Sequence, residues 1–99
     1  MTIEKNRDGS RFTIAISGRM DAVTAPELGK IVENELEGIT ELIFDLKGLE
    51  YTSSAGLRQF LAAQQVMDDQ GSMVIRNANE SVMDIFEETG FDDIFDIEK

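Results

Sequence analysis

Residues 42–61 read LIFDLKGLEYTSSAGLRQFL, and the change of hydrophobic period inside this stretch decides the fold. Glu41–Leu46 is nearly continuously apolar, which predicts a strand covered on both faces. Beyond the small and hydroxylated residues Thr52-Ser53-Ser54-Ala55-Gly56, the apolar positions take helical spacing. Leu57, Phe60, Leu61, Ala63 and Met67 predict a buried stripe on a helix over about residues 54–69. Gln64 falls on the same face, and Gly71 closes the helix. Met73–Arg76 follows as a short strand. Two strands joined through a helix run parallel.

Toward the N-terminus the pattern is different. Thr2–Asn6 and Arg11–Ser17 flank Asp8-Gly9, which predicts a hairpin with Gly9 in the turn. Phe12, Ile14 and Ile16 alternate with polar or small residues, and Gly18 is expected to break the strand. Thr24 and Glu27 are spaced as a capping box, with Val23 and Leu28 placed as a hydrophobic staple across it. Pro26 falls in the first turn, where its missing N–H costs nothing. Leu28, Ile31, Val32 and Leu36 form that helix's apolar stripe, and Gly38 ends it.

Toward the C-terminus, a third helix is expected from Asn79 or Ser81 to about Thr89, with Val82, Ile85 and Phe86 facing inward. Gly90 suits the position after its end, where Phe91 would pack back on Phe86. Ile94–Ile97 is a candidate last strand. The fold class is therefore α/β: one domain over 1–99, with a mixed four- to five-stranded sheet, an N-terminal antiparallel hairpin and three main helices.

Composition narrows the function. The chain has 99 residues and neither Cys nor His. Thiolate nucleophiles, Cys-based metal sites, the Ser-His-Asp triad and the usual neutral-pH general base are excluded. The formal charge of −11 disfavours nucleic acid and anionic membrane surfaces. No apolar run is long enough for a bilayer span, and MTIEKNRDGSRF has no signal-peptide core, so a soluble cytoplasmic protein is expected. Acidic residues concentrate at 80–99, where they serve solubility or steer a basic partner. No nucleotide-binding loop of the GxxxxGK[ST] type is present.

Ser53 and Ser54 are the main candidates for chemistry. One reading is capping, since a serine at a helix start accepts a first-turn N–H, worth about 1 kcal/mol. The other is a modifiable hydroxyl. Thr52, a second serine and the small Ala55-Gly56 pair leave the loop bare, and Gly56 gives close backbone access. A phosphate here would meet free N–H groups and the positive end of the helix dipole, so the fold would tolerate it. A partner seated over a neutral serine would instead have to desolvate a dianion. Asp21 is the second candidate, with a turn role as its alternative. Asp45 lies on a strand as in receiver domains, but the acidic pair such a site needs is missing. Asp92, Asp93 and Asp96 lack the spacing of a calcium loop and read as an acidic turn.

Three segments together resemble the STAS family (sulfate transporter and anti-sigma factor antagonist domains). They are ISGRMDAVTAPEL at 16–28, LIFDLKGLEYTSSAGLRQFL at 42–61 and NANESVMDIFEETGFDDIF at 77–95. Within the family the chain is similar to stand-alone bacterial anti-sigma factor antagonists. The resemblance implies that the phospho-acceptor is the serine two residues before the Gly56-Leu57 pair, which is Ser54. Many members carry Asp where this chain has Ser53, and this departure makes Ser53 an alternative acceptor. Asp21 matches the family's Asp near the same end of the sheet. The partner-binding residues so implied are Asp21, Thr52, Ser53, Ser54, Ala55, Gly56 and Arg58.

The resemblance also implies partner switching. The unphosphorylated protein, a monomer when free, binds a serine-kinase anti-sigma factor. The kinase, with its own ATP, phosphorylates Ser54 and releases it, and a PP2C-type phosphatase resets the switch. On this reading the chain is not an enzyme and needs no cofactor or metal, and it makes no direct contact with nucleic acid or membrane. The alternative is a constitutive STAS subunit of a larger complex such as a lipid-transport ATPase.

Overall fold

A computed structural model describes residues 1–98. The strands are β1 (Thr2–Asp8), β2 (Arg11–Met20), β3 (Glu41–Thr52), β4 (Ser72–Arg76) and β5 (Asp96–Glu98). They form one sheet in the order β1-β2-β3-β4-β5, with β1–β2 antiparallel and every other pair parallel. The helices are α1 (Ala25–Asn34), α2 (Ser54–Gln70) and α3 (Glu80–Thr89). The mixed sheet, the hairpin and the three helices are those expected from the sequence.

The core lies on one face of the sheet. Phe12, Ile14 and Ile16 of β2, Leu42, Phe44 and Leu46 of β3, and Met73 and Ile75 of β4 join the buried residues of all three helices in one cluster. The opposite face carries Thr13, Ala15, Asp45 and Val74 half-buried, with Ile43 enclosed among its strand neighbours. The expectation that β3 is covered on both faces is met in part: Ile43 is 3% exposed on the second face, while Asp45 beside it is half-buried. The unbroken apolar run of β3 reflects a central position in the sheet, where Ile43 stands between Thr13 and Val74.

Several boundaries differ from those expected. Gly18 does not break β2, because it takes φ +91° and the strand continues to Met20. β3 likewise runs on to Thr52, six residues past Leu46. It carries an additional residue against β2 at two places, between Ala15 and Ser17 and again between Gly18 and Arg19. These bulges hide the period-2 signal while preserving the pairing. Helix α1 stops at Asn34, where the Glu35 N–H closes on the Ile31 carbonyl. Gly38, with φ +79°, belongs to the following turn. Phe91 stacks on Phe95 with a centroid separation of 5.4 Å, and Phe95 meets Phe86 edge-on at 5.7 Å. Phe91 packs against the core from its edge, and its stacking partner there is Phe95. A 3-10 turn at Phe91–Asp93 holds Asp92 and Asp93, and the last strand begins only at Asp96.

Asn79 caps α3. Its Oδ1 accepts from Val82 N at 2.9 Å, while its Nδ2 donates to the Leu49 carbonyl at 2.9 Å. One side chain therefore ends the loop and ties α3 to β3. Gly71 closes α2 where a Cβ would run into the Thr40 carbonyl, so close approach to the backbone is what selects glycine there.

Candidate functional site

β2 and β3 are parallel, so their carboxyl ends emerge together, with Met20 paired to Thr52. The chain leaves β2 into the loop 21–24 and leaves β3 directly into α2. Ser53 N donates to the Met20 carbonyl at 2.8 Å, which stitches the two exits together. This places Asp21 and the serines at the carboxyl end of the sheet, where open α/β sheets commonly hold their sites.

The loop 21–24 is built around Asp21. Its Oδ1 accepts from Val23 N at 2.9 Å and Thr24 N at 3.0 Å. The Asp21 N–H donates to Thr24 Oγ1 at 2.9 Å, and Ala25 N donates to the Asp21 carbonyl at 2.8 Å. The N–H of Thr24, then that of Val23, holds the carboxyl below its ordinary pKa, and Arg19 adds to the effect. This arrangement corrects the expected capping box. Thr24 stands at the N-cap position but makes no side-chain cap bond, because its hydroxyl is turned to Asp21 and to the Arg19 carbonyl. The staple is absent too: Val23 is 85% exposed.

Helix α2 begins with its first turn uncapped by any side chain. Ser53 has extended N-cap geometry (φ −86°, ψ 176°), yet its Oγ is buried and has no hydrogen-bond partner. The capping bond expected of a serine is not made at Ser53. Thr52 donates its hydroxyl to the Ser53 carbonyl at 3.2 Å, and Leu57 N donates to the same carbonyl at 3.1 Å. No acidic side chain of α2 stands in its first turn, and no side chain caps its free N–H donors.

The structure separates the expected site residues into two layers. Ser54 and Arg58 are exposed, one helical turn apart, and Asp21, Ser53 and Ala55 are half-buried. Thr52 is 2% exposed and Gly56 is buried. A Cβ on Gly56 would collide with Thr52 Oγ1 and lie 2.8 Å from Met20 Cε. The glycine therefore brings α2 close to the end of the sheet. The outward backbone access expected of Gly56 is not what it provides; Thr52 and Gly56 shape the surface from beneath.

Sequence reasoning missed three neighbours of this surface. Tyr51 is 36% exposed, and the Arg19 guanidinium lies 4.5 Å from its ring centroid. Val23 projects from the Asp21 loop. The available signal was an apolar or aromatic residue flanking polar turn residues, which reads equally well as packing. Asp45 is structural, accepting from Lys47 N at 3.1 Å and from Asn77 Nδ2 at 3.0 Å, and it steadies Asn77 at φ +61°. Among the described residues, no group of three or more acidic side chains is placed to hold a metal ion.

A family model described as the STAS domain matches residues 2–99. The chain belongs to the STAS domain family. This STAS domain is 33% identical over 96 residues to the anti-sigma-B factor antagonist of Listeria monocytogenes, covering 94% of the chain and 83% of the relative. Its fold is similar to a crystal structure of an anti-sigma factor antagonist from Mycobacterium paratuberculosis. The TM-score is 0.86 at 22% identity, over 97% of this chain and 83% of that one. It is also similar in fold to the Bacillus cell fate determinant SpoIIAA, solved in its phosphorylated form. There the TM-score is 0.71 at 12% identity, over 99% of this chain and 92% of that one.

Proposed function

We propose that this STAS domain is a cytoplasmic anti-sigma factor antagonist that works as a phospho-regulated binding module, not as an enzyme. The names of its relatives support the antagonist role. The observation that carries the switch is the contrast between two adjacent serines. Ser54 is exposed on the first residue of an uncapped helix that has no acidic residue in its first turn, whereas the Ser53 hydroxyl is buried. An accessible hydroxyl is what a kinase requires. Free first-turn N–H groups are what a phosphate requires once it is there. Ser54 is therefore the acceptor and Ser53 is not.

Unphosphorylated, the surface around Asp21, Ser54, Ala55 and Arg58 docks a serine-kinase anti-sigma factor. Phosphorylation of Ser54 adds roughly −1.5 to −2 charge to that surface and releases the partner, because a closed interface has to strip water from the dianion. A PP2C-type phosphatase restores the hydroxyl. Incubation with the cognate kinase and ATP, followed by phosphosite mapping, tests this reading. The expected product carries one phosphate on Ser54, in wild type and in Ser53→Ala alike. Phosphate on Ser53, or full kinase binding by Ser54→Asp, would refute it.

A further inference from the structure

The molecule has a second surface, remote in sequence from the serine loop. A groove of about 420 Å³ runs between α3 and β5. Its floor is apolar: Ala78, Met83 and Ile97 line it and pack against the core from its edge. Its rim is acidic. Glu80, Asp84 and Glu87 follow one face of α3 at i, i+4 and i+7, and Glu98 stands on β5. Arg76 pairs with Glu98 at 3.2 Å. The three α3 carboxylates make no ion pair or side-chain hydrogen bond among the described residues, and no described lysine or arginine lines the groove.

Folding of the isolated domain accounts for Glu80, which stands in the first turn of α3 where the dipole favours it, but not for the rest of this rim. Like charges at i, i+3 and i, i+4 weaken a helix. A carboxylate in the last turn opposes the helix dipole, and the last turn of α3 contains Glu87 and no basic residue. Asp84 and Glu87, set with Glu80 around an apolar floor at a cost to the free helix, form a surface complementary to a cation with an aliphatic stem or neighbour. The groove also adjoins an open sheet edge. Among the described residues β5 pairs only with β4, so its outer side presents unpaired backbone groups to an incoming strand.

We propose that the cleft between α3 and β5 docks an extended, basic segment of a partner protein, which adds to the free edge of β5 and sets lysine or arginine side chains against Glu80, Asp84 and Glu87. A second copy of this chain is a poor occupant. Its net charge of −11 opposes self-association. Its own basic edge strand is engaged internally, with Lys5 held by Glu35 at 3.0 Å and Arg7 by the Glu37 carbonyl at 3.1 Å. Ser54 does not line the groove, so a partner held there need not touch the phosphorylated hydroxyl.

The test is a titration of the full ¹⁵N-labelled chain with a synthetic peptide whose alternate positions read lysine, valine, lysine on one face, with threonine between. Saturable amide shifts confined to Ala78–Glu98, weakened by salt, are expected. The Glu80→Gln/Asp84→Asn/Glu87→Gln triple variant should bind about tenfold more weakly, the loss expected for three exposed ion pairs. Its melting temperature should stay within a few degrees of wild type, because the dipole favours Glu80 in the first turn and opposes Glu87 in the last; this separates lost binding from lost folding. Ser54→Asp should bind the peptide as wild type does. The proposal is overturned by any of four results: no saturable shift up to about 1 mM peptide; shifts spread over all acidic surfaces; unchanged affinity in the triple variant; or sedimentation showing that a second copy occupies the groove and competes with the peptide.

Discussion

Gly56→Ala probes how tightly α2 is seated on the sheet. Two effects oppose each other. Alanine in place of glycine in a helix gains up to about 1 kcal/mol of propensity. Against this, the new methyl would overlap Thr52 Oγ1 and lie 2.8 Å from Met20 Cε and 3.0 Å from its Cγ. Met20 is flexible and can move, but it is fully buried, so any movement displaces core neighbours. Thr52 is β-branched, 2% exposed and hydrogen-bonded to the Ser53 carbonyl, so it yields little. Overpacking of this kind costs about 1–3 kcal/mol. The collision outweighs the propensity gain, and the net loss is about 1–2 kcal/mol.

Urea unfolding at constant m-value measures the loss, and thermal melting should show a fall of about 4–8 °C per kcal/mol for a domain of this size. The mechanism is checked by adding Thr52→Ala, which removes the oxygen that the methyl meets. In the double-mutant cycle, Gly56→Ala should then cost at least about 1 kcal/mol less than it does alone. If Gly56→Ala stabilises the protein, or if its cost is the same with and without the Thr52 oxygen, the close packing inferred at this junction is wrong.

Ser53→Ala removes a buried hydroxyl that has no partner, so it should be neutral or stabilising by up to about 1 kcal/mol, where loss of a working N-cap costs about that amount; chemical denaturation reads the sign. Val23→Ser should change stability by less than about 0.5 kcal/mol, as befits an exposed side chain outside any staple, and binding to the cognate anti-sigma factor, followed by calorimetry, is where its effect should fall. Asp21 has a lowered folded-state pKa, so its hydrogen bonds contribute stability above the unfolded carboxyl pKa of about 3.9 and lose it as pH falls through the lower folded value. The melting-temperature gap between wild type and Asp21→Asn should accordingly be full near neutrality and narrow toward acid. Ser54→Asp places a carboxylate at a helix start free of other acids and should hold or raise the melting temperature, by the equivalent of about 0.3–1 kcal/mol.

Where a single period dominates, the fold is legible in the sequence. Phe12, Ile14 and Ile16 keep strict alternation, and Leu57, Phe60, Ala63 and Met67 keep helical spacing; all of these are buried, while Leu61, expected in the same stripe, is only half-buried. Legibility fails where two local solutions compete. Thr24 offers one hydroxyl both to a helix N–H and to Asp21, and the backbone angles of the loop decide the choice. Gly18 reads as a stop because a glycine in a strand interior weakens it, but at φ +91° it stays paired opposite the β3 bulge and β2 continues to Met20. The position of the serine loop followed from the switch between strand and helix periods. The unequal exposure of Ser53 and Ser54 did not, because it depends on how α2 meets Met20 and Thr52 across the sheet.

On the proposed reading, that junction lets a charge change at Ser54 act on binding while sparing the fold. Electrostatic effects between exposed charges fade over about 8 Å at physiological salt, so the net charge of the chain matters less than the groups near the hydroxyl. Within the first turn of α2 there is no acid to repel a phosphate, and Arg58 stands one turn on. The carboxylate of Asp21 is already committed to the N–H groups of Val23 and Thr24. The side chains that anchor the helix, Leu57 and Phe60, point to the core, with Phe60 packed edge-on to Phe44 at 5.0 Å. A phosphate on Ser54 therefore disturbs neither the packing nor the loop bonds. What it alters is the hydration of the outward surface, which only a docking partner must remove. If Ser54 is the acceptor as proposed, the burial of Gly56 and Thr52 beneath an exposed Ser54 is what would uncouple binding from folding.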